Sequence, residues 1–149
     1  MAVSRSLRTL VRDRAQGLCE YCHASEEWQF VAHTMDHIVP QSAGGPDTSD
    51  NLALACFNCN TRRQARTHGA IDGSPVPLFN PRSDEWNDHF AWSLDTLSLV
   101  ALTDVGQATL DLLDFNGQRH GVADKLRRIR EEERSLNRHP PQSDRIGDT

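Results

Sequence analysis

The sequence of 149 residues lacks any apolar run that approaches the length of a transmembrane helix. Its opening stretch, MAVSRSLRTLVRDR, carries an arginine every few residues and has no apolar core of the kind that a signal peptide needs. We therefore expect a cytoplasmic protein that does not bind to membranes.

An excess of positive charge is also missing. The chain has 16 Lys and Arg against 21 Asp and Glu, and its net charge of −5 argues against a general nucleic-acid coat protein. Residues 1–70 are balanced, however, and the whole deficit lies in residues 71–149. A local basic surface in the first half is therefore compatible with nucleic-acid binding.

Cysteine is absent after residue 59, and the four that are present form two Cys-x-x-Cys pairs. Disulfides are rare in a reducing compartment, and this spacing is typical of a closed tetrahedral zinc site. A thiol redox protein is disfavoured, because there are two pairs and neither follows the strand-to-helix pattern of that chemistry. We predict structural Zn²⁺ bound by Cys19, Cys22, Cys56 and Cys59.

Hydrophobic periodicity in the first half predicts a helix capped by Ser4 or Ser6 and ended by Gly17. Residues 28–32 and 34–39 are short runs of strand-forming residues, and we predict that they pair as a hairpin. A second helix is predicted from Asn60 through Arg66.

The second half begins with a segment rich in Gly and Pro, residues 69–81, which we interpret as a connection. Alternating apolar residues then predict a second hairpin, followed by two helices. The predicted fold class is α+β. The predicted domains are a zinc-containing domain at 1–70, a hairpin-plus-helix extension at 71–138 and a disordered tail at 139–149.

Asp36 and His37 are not needed to bind the zinc, so their presence requires another explanation. A neutral imidazole is suited to take a proton from water near neutral pH, and carboxylate and amide oxygens are ligands that Mg²⁺ or Mn²⁺ prefers. An isolated Asp-His pair has an ordinary alternative, in which a buried, hydrogen-bonded histidine follows an acid in a turn. For these two residues alone, the ordinary alternative is the favoured interpretation.

The ordered set of motifs around this pair resembles the HNH endonuclease family, in the four-cysteine, free-standing bacterial type. The matching stretch covers about residues 12–66, and residues 78–115 resemble the tail of such proteins more loosely. The motifs that carry the resemblance are Cys19-x-x-Cys22, Asp36-His37-Ile38-Val39-Pro40, Gly44-Gly45, Asp50-Asn51-Leu52 and Cys56-x-x-Cys59-Asn60.

The resemblance implies a ββα-metal core with His37 on a strand and Asn60 at the start of a helix. It implies that His37 is the general base, that Asp36 and Asn60 hold a catalytic Mg²⁺ or Mn²⁺, and that Asn51 fixes the loop that orients the histidine. It also implies that the four cysteines bind the structural zinc and that cleavage leaves a 5′-phosphate. Family members carry basic residues after the last motif, and here Arg62, Arg63 and Arg66 are the candidates for contact with the nucleic-acid backbone.

Two functions follow from this resemblance. The first is a metal-dependent DNA endonuclease, and the second is a catalytically inactive, zinc-stabilised DNA-binding or adaptor module. The joint presence of Asp36, His37, Asn51 and Asn60 favours the enzyme, because a pure binding module needs none of them. The acidic second half is a candidate for binding a protein partner, or for a homodimer interface that would pair two nicking sites.

Overall fold

The computed structural model describes residues 3–147. The described residues combine α-helices with three two-stranded antiparallel sheets, in agreement with the predicted α+β class. They form two compact units. The first contains the residues up to Thr67 together with Asn80–Asp84, and the second contains His68–Phe79 and the residues from Glu85 onward. No helix within residues 3–147 is both long enough and apolar enough to cross a membrane.

The first unit begins with helix α1 (Arg5–Ala15). Ser4 caps it, because the Ser4 hydroxyl accepts a hydrogen bond from the backbone N–H of Leu7 at 3.3 Å. One face of α1 is apolar, and Val11 on that face is fully buried against Leu52 and Leu54. The predicted N-terminal helix and its serine cap are confirmed.

The sheet of the first unit joins strand β1 (Thr34–His37) to strand β2 (Leu52–Ala55). The prediction that residues 28–32 pair with residues 34–39 is therefore wrong. Glu26–Trp28 forms a short 3₁₀ turn, and the apolar side chains that follow it are exposed to solvent. All four residues of β2 are buried, so this strand supplies the apolar surface that β1 needs as a partner.

Helix α2 (Phe57–Arg63) follows β2 directly. Cys56 is its N-cap residue, and the Cys56 Sγ accepts a hydrogen bond from the backbone N–H of Cys59 at 3.4 Å. The helix ends three residues before the predicted end at Arg66, because Gln64 has a positive φ of 53° that a helix cannot continue.

The first unit is completed by Asn80–Asp84, which forms a turn far along the sequence. The Arg82 guanidinium in this turn donates to one carboxylate oxygen of Glu20. The other oxygen of Glu20 accepts the backbone N–H of Leu54 at 2.7 Å. Glu20 therefore connects this turn to strand β2.

The second unit begins with strands β3 (His68–Ile71) and β4 (Ser74–Pro77), which pair antiparallel. The interpretation of residues 69–81 as a plain connection is therefore wrong. Proline is tolerated in β4 because each strand of a two-stranded sheet has an unpaired edge.

The rest of the second unit is built around aromatic side chains. Phe90 is fully buried, and its ring centroid lies 5.3–5.4 Å from those of Phe79, Trp86 and Phe115. The elements that carry and cover this cluster are α3 (Trp86–His89), β5 (Phe90–Trp92), β6 (Leu99–Ala101), α4 (Asp104–Leu113) and α5 (Ala123–Ser135), and β5 pairs antiparallel with β6.

The described part of the C-terminal segment contacts Trp92. The backbone N–H of Trp92 donates to the Arg145 carbonyl at 2.8 Å, and its indole N–H donates to Asp144 at 2.9 Å. Residues 148–149 of the predicted disordered tail lie outside the described residues.

Candidate active site

The four cysteines lie together in a buried pocket of the first unit. Their Sγ atoms are all within 4.8 Å of one another, and no disulfide joins them. The pKa of Cys56 falls well below its usual range, because Cys19 first, and then Cys22 and Cys59, hydrogen-bond to its sulfur. A thiolate is the form of cysteine that binds metal.

This pocket fits a structural zinc ion. With Zn–S bonds of about 2.3 Å, a tetrahedral site places its sulfurs about 3.8 Å apart. The Cys22 and Cys56 Sγ atoms, which come from the two different pairs, are 3.8 Å apart. Four buried sulfurs in this arrangement complete a closed site and leave no ligand position for substrate.

Asp36 lies on β1 with its carboxylate directed into the protein. Its side chain is 4% exposed, and Arg63 Nη1 lies 3.1 Å from Oδ1 and 2.9 Å from Oδ2. The Tyr21 hydroxyl donates a further hydrogen bond to Oδ2 at 2.5 Å. Burial raises the pKa of Asp36, although Arg63 and Tyr21 both act in the opposite direction. The acid is therefore a buried carboxylate with an arginine as its counter-ion.

As it stands, this carboxylate does not fit the role of a ligand for a catalytic divalent cation. Its oxygens are of the type that Mg²⁺ and Mn²⁺ prefer. A guanidinium already contacts both of them, however, and its charge would repel a second cation at the same carboxylate.

His37 is adjacent to Asp36, but its side chain contacts a different group, because successive residues on a strand point to opposite faces. Its Nε2 lies 2.6 Å from Oδ1 of Asp47, and the imidazole side chain is 16% exposed. Asp47 is an exposed loop residue whose pKa is lowered, chiefly by the hydrogen bond from His37. The structure thus gives the histidine an acidic partner at the surface of the unit.

Asn51 holds the loop between the two strands. Its side-chain oxygen accepts the backbone N–H of Val39 at 2.8 Å, and its amide donates to the carbonyls of Val39 at 3.1 Å and Pro46 at 3.0 Å. Gly45 permits this close folding, because a Cβ at that position would overlap the Val39 carbonyl oxygen. The loop that carries Asp47 is therefore fixed next to the end of β1.

The remaining predicted site residues lie on helix α2 or just after it. Asn60 is half-buried and lies one turn before Arg63. Arg63 is 3% exposed and also donates to the carbonyls of His37 at 3.1 Å and Ile38 at 2.6 Å. Arg62 is half-buried and Arg66 is exposed just beyond the helix. Of the three predicted backbone-contacting arginines, Arg63 is therefore the one that the structure places inside the protein.

Residues 19–66 match the model of a known family, described as HNH endonuclease. This stretch, about a third of the chain, is similar to HNH endonucleases. The match includes the cysteine pocket, β1, β2 and α2, and it confirms the resemblance noted in the sequence. Neither the curated proteins nor the solved structures contain a significant match to the chain.

Two residues within the matched stretch are missing from the site that the sequence predicts. One is Asp47, an acid ten residues after the histidine in a Gly-Gly-Pro-Asp stretch, which is a visible candidate in the sequence. The other residue is Tyr21, which lies between Cys19 and Cys22. The sequence around Tyr21 gives no indication that its hydroxyl reaches β1.

Proposed function

We propose that the chain is an endonuclease that hydrolyses phosphodiester bonds in DNA, with His37 as the general base. The observation that carries this proposal is the 2.6 Å contact between His37 Nε2 and Asp47, within a domain of the HNH endonuclease family. A histidine with a carboxylate partner at a surface is suited to proton transfer near neutral pH.

The chemistry starts with the tautomer of His37. Asp47 accepts the proton on Nε2, which leaves the lone pair on Nδ1 free to take a proton from water. The negative charge of Asp47 then stabilises the imidazolium as it forms. The resulting hydroxide attacks phosphorus, the bond from phosphorus to the 3′ oxygen breaks, and that oxygen leaves with the electron pair and takes a proton from water. By analogy with the family, the product carries a 5′-phosphate.

The backbone around His37 supports this role. His37 pairs with Leu52 in the sheet, and its carbonyl accepts a hydrogen bond from Arg63. Asn51 fixes the loop that brings Asp47 to the imidazole. We propose that Asn51 is a positioning residue for the histidine.

The resemblance also implies a Mg²⁺ or Mn²⁺ ion on Asp36 and Asn60. Because Arg63 forms an ion pair with the Asp36 carboxylate, the proposed steps involve protein groups only. The cleavage assay measures whether activity depends on a divalent cation. We propose a structural role for zinc, and contacts of Arg62 and Arg66 with the DNA backbone. A ββα-metal core made of β1, β2 and α2 is part of the same proposal.

A homodimer that pairs two nicking sites belongs to the proposal as well. Its support is the exposure of large apolar side chains on the second unit, at Leu94, Leu136 and Ile146. Sedimentation of the full chain across a range of concentrations tests it, and a monomer throughout that range would contradict it.

The test of the proposed function is conversion of supercoiled plasmid to nicked or linear DNA by the zinc-loaded chain. The reactions contain Mg²⁺ or Mn²⁺, with an EDTA control and the His37→Ala variant. We expect cleavage by the parent that is lost in His37→Ala at equal zinc content. DNA binding without cleavage by the parent would favour the inactive DNA-binding or adaptor module instead.

A further inference from the structure

The two faces of the β1–β2 sheet pack against different helices. Met35 packs against the core cluster that includes Val11 of α1. His37 follows Met35 by two residues on β1, so its side chain lies on that same face of the sheet. Asp36, between them, lies on the opposite face, where its carboxylate contacts Arg63 of α2. The imidazole of the proposed base is therefore on the face of the sheet that α1 covers.

Arg14 lies in the last turn of α1, at the end of the sheet that carries His37. Its Nη2 donates to the carbonyl of Leu52 at 2.8 Å, and its Nη1 donates to the carbonyl of Ser49 at 3.1 Å. Leu52 is the residue that pairs with His37 in the sheet. Because the Cα atoms of paired residues lie about 4.5–5.5 Å apart, the Arg14 guanidinium is within about 11 Å of the His37 Cα.

The contacts of Arg14 fix its guanidinium and leave the residue exposed. Both partners are uncharged carbonyls, so they do not neutralise the guanidinium. Burial lowers the pKa of Arg14, and the charge of the nearby, exposed Asp50 raises it. An exposed ion pair contributes only about 0–1 kcal/mol, so Asp50 is a weak competitor for a phosphate. A guanidinium that is already held in place also loses little side-chain entropy when a phosphate binds.

We propose that Arg14 binds a backbone phosphate of DNA on the His37 face of the sheet. An exposed guanidinium forms charge-assisted hydrogen bonds with a phosphate, and such contacts fix the position of a protein along the duplex. Arg14 thereby adds a DNA contact from α1 to those proposed for Arg62 and Arg66. This inference rests on the proposed function, and it makes Arg14 a residue that positions the DNA strand next to the proposed base.

The test measures how the DNA affinity of the zinc-loaded full chain depends on salt. A fluorescent duplex is titrated with the cleavage-deficient His37→Ala protein at several salt concentrations, and anisotropy reports binding. Each phosphate contact contributes about 0.9 to the slope of log affinity against log salt concentration. We expect Arg14→Gln in this background to reduce the slope by about that amount and to weaken binding by about fivefold to tenfold at about 0.1 M salt.

Arg5→Gln is the matched control. It removes the same charge from an exposed position at the other end of α1, about 14 Å from Arg14 along the helix axis. Its slope should equal that of the His37→Ala protein, and its affinity should stay within about twofold, because solution ions screen charges at this distance. An equal loss of slope in Arg5→Gln and Arg14→Gln would overturn the proposal, because the effect would then be one of total charge.

Arg14→Lys separates a phosphate contact from a purely structural role. Lysine keeps the positive charge, but its single nitrogen cannot reproduce the fork between the Ser49 and Leu52 carbonyls. We expect this variant to keep the salt slope that Arg14→Gln loses. An unchanged slope in a folded, zinc-loaded Arg14→Gln protein would overturn the proposal. So would an equal loss of slope in both variants, because the missing fork would then explain it.

A measurement without substitution of Arg14 covers the case in which Arg14→Gln does not fold. The His37→Ala protein is treated with phenylglyoxal, which modifies accessible guanidinium groups, and mass spectrometry follows each arginine with and without saturating duplex. We expect DNA to slow the modification of Arg14 and not that of Arg5, and an Arg14 that reacts equally fast in both samples would overturn the proposal.

Failure of this inference is distinguishable from failure of the proposed function. DNA binding with the expected salt slope, without plasmid cleavage by the parent, would contradict the nuclease and support the Arg14 contact. Plasmid cleavage that is lost in His37→Ala, together with an unchanged slope in Arg14→Gln, would support the nuclease and overturn the Arg14 contact.

Discussion

The Tyr21 hydroxyl donates a 2.5 Å hydrogen bond to Oδ2 of Asp36. Tyr21 lies between Cys19 and Cys22 of the cysteine pocket, and Asp36 immediately precedes His37 on β1. Burial raises the pKa of Tyr21 well above its usual value, so the hydroxyl stays protonated and remains a donor. The metal pocket and the strand that carries the proposed base therefore share one buried polar network.

Tyr21→Phe tests how much this network stabilises the first unit. The variant keeps the ring and removes only the hydroxyl, and Asp36 keeps Arg63 as its partner. We expect the free energy of unfolding of the first unit to fall by about 1.5–3 kcal/mol, the typical contribution of a hydrogen bond to a charged group. Urea unfolding followed by zinc release to a chelating dye measures it. An unchanged midpoint at equal zinc content would contradict the prediction.

Removal of zinc should unfold the region from about residue 12 to residue 66. The four buried sulfurs join the turn after α1 to the start of α2, and without the ion they would crowd together as partly charged groups. Circular dichroism and a thermal melt after complete chelation measure the effect, and returning Zn²⁺ is the control. A retained sharp transition of the first unit in the metal-free chain would contradict this expectation.

Local sequence signals predicted the parts of the fold that depend on neighbours in the chain. The Ser4 cap and the apolar face of α1 follow from helical spacing, and the paired cysteines follow from ligand spacing. The partner of β1 could not be predicted in this way. Two apolar runs, residues 28–32 and Leu52–Ala55, were candidates for pairing with β1. The second pairs with it, and its burial depends on contacts with residues far away in the sequence.

The candidate site could likewise be predicted from the sequence only in part. The resemblance identified His37 and Asn51 as candidate site residues from the order of the motifs. Both side chains make hydrogen bonds in the structure. It did not indicate that Asp36 is paired with Arg63, because burial of a charge depends on what packs over it. The catalytic roles of these residues stay predictions.

Asp47→Asn tests the partner of the proposed base. An amide at this position can still accept a hydrogen bond, but it supplies no negative charge to stabilise the imidazolium. We expect plasmid nicking to slow by about tenfold or more, the order of a general-base contribution. The initial rate of plasmid nicking at a fixed neutral pH and equal zinc content measures the effect.

Asp50→Asn is the matched control for that variant. It removes an exposed acid from the same loop, whereas the acid that lies against His37 Nε2 is Asp47. It should nick DNA at close to the parental rate. Equal slowing of both variants would indicate a general effect of loop charge, and the role of Asp47 would be contradicted.

Arg82 and Glu20 should be energetically coupled. Burial lowers the pKa of Arg82 to about 10, which leaves it charged at neutral pH and dependent on its carboxylate partner. We expect Arg82→Gln to destabilise the first unit by about 1–3 kcal/mol, because it leaves Glu20 partly buried without its counter-ion. A double-mutant cycle with Glu20→Gln measures the pair, and a coupling energy near zero would contradict it.

His139 should make the second unit sensitive to acid. Its side chain lies edge-on to Trp92, and Nε2 donates to the Thr96 carbonyl at 2.6 Å. Burial lowers the pKa of His139, Arg130 and Arg134 lower it further, and the Thr96 carbonyl and Asp144 act in the opposite direction.

The sign of the pH dependence follows from this lowered pKa. As the pH falls through the ordinary histidine value of about 6.5, the unfolded chain binds the proton before the folded chain does. The stabilisation from neutral His139 is therefore complete above that value and decreases below it, until the pH reaches the folded pKa. Urea unfolding followed by tryptophan fluorescence from about pH 7.5 to about pH 5.5 should show a steeper loss of stability in the parent than in His139→Gln. Parallel curves for the two proteins would show that His139 does not contribute to the acid sensitivity.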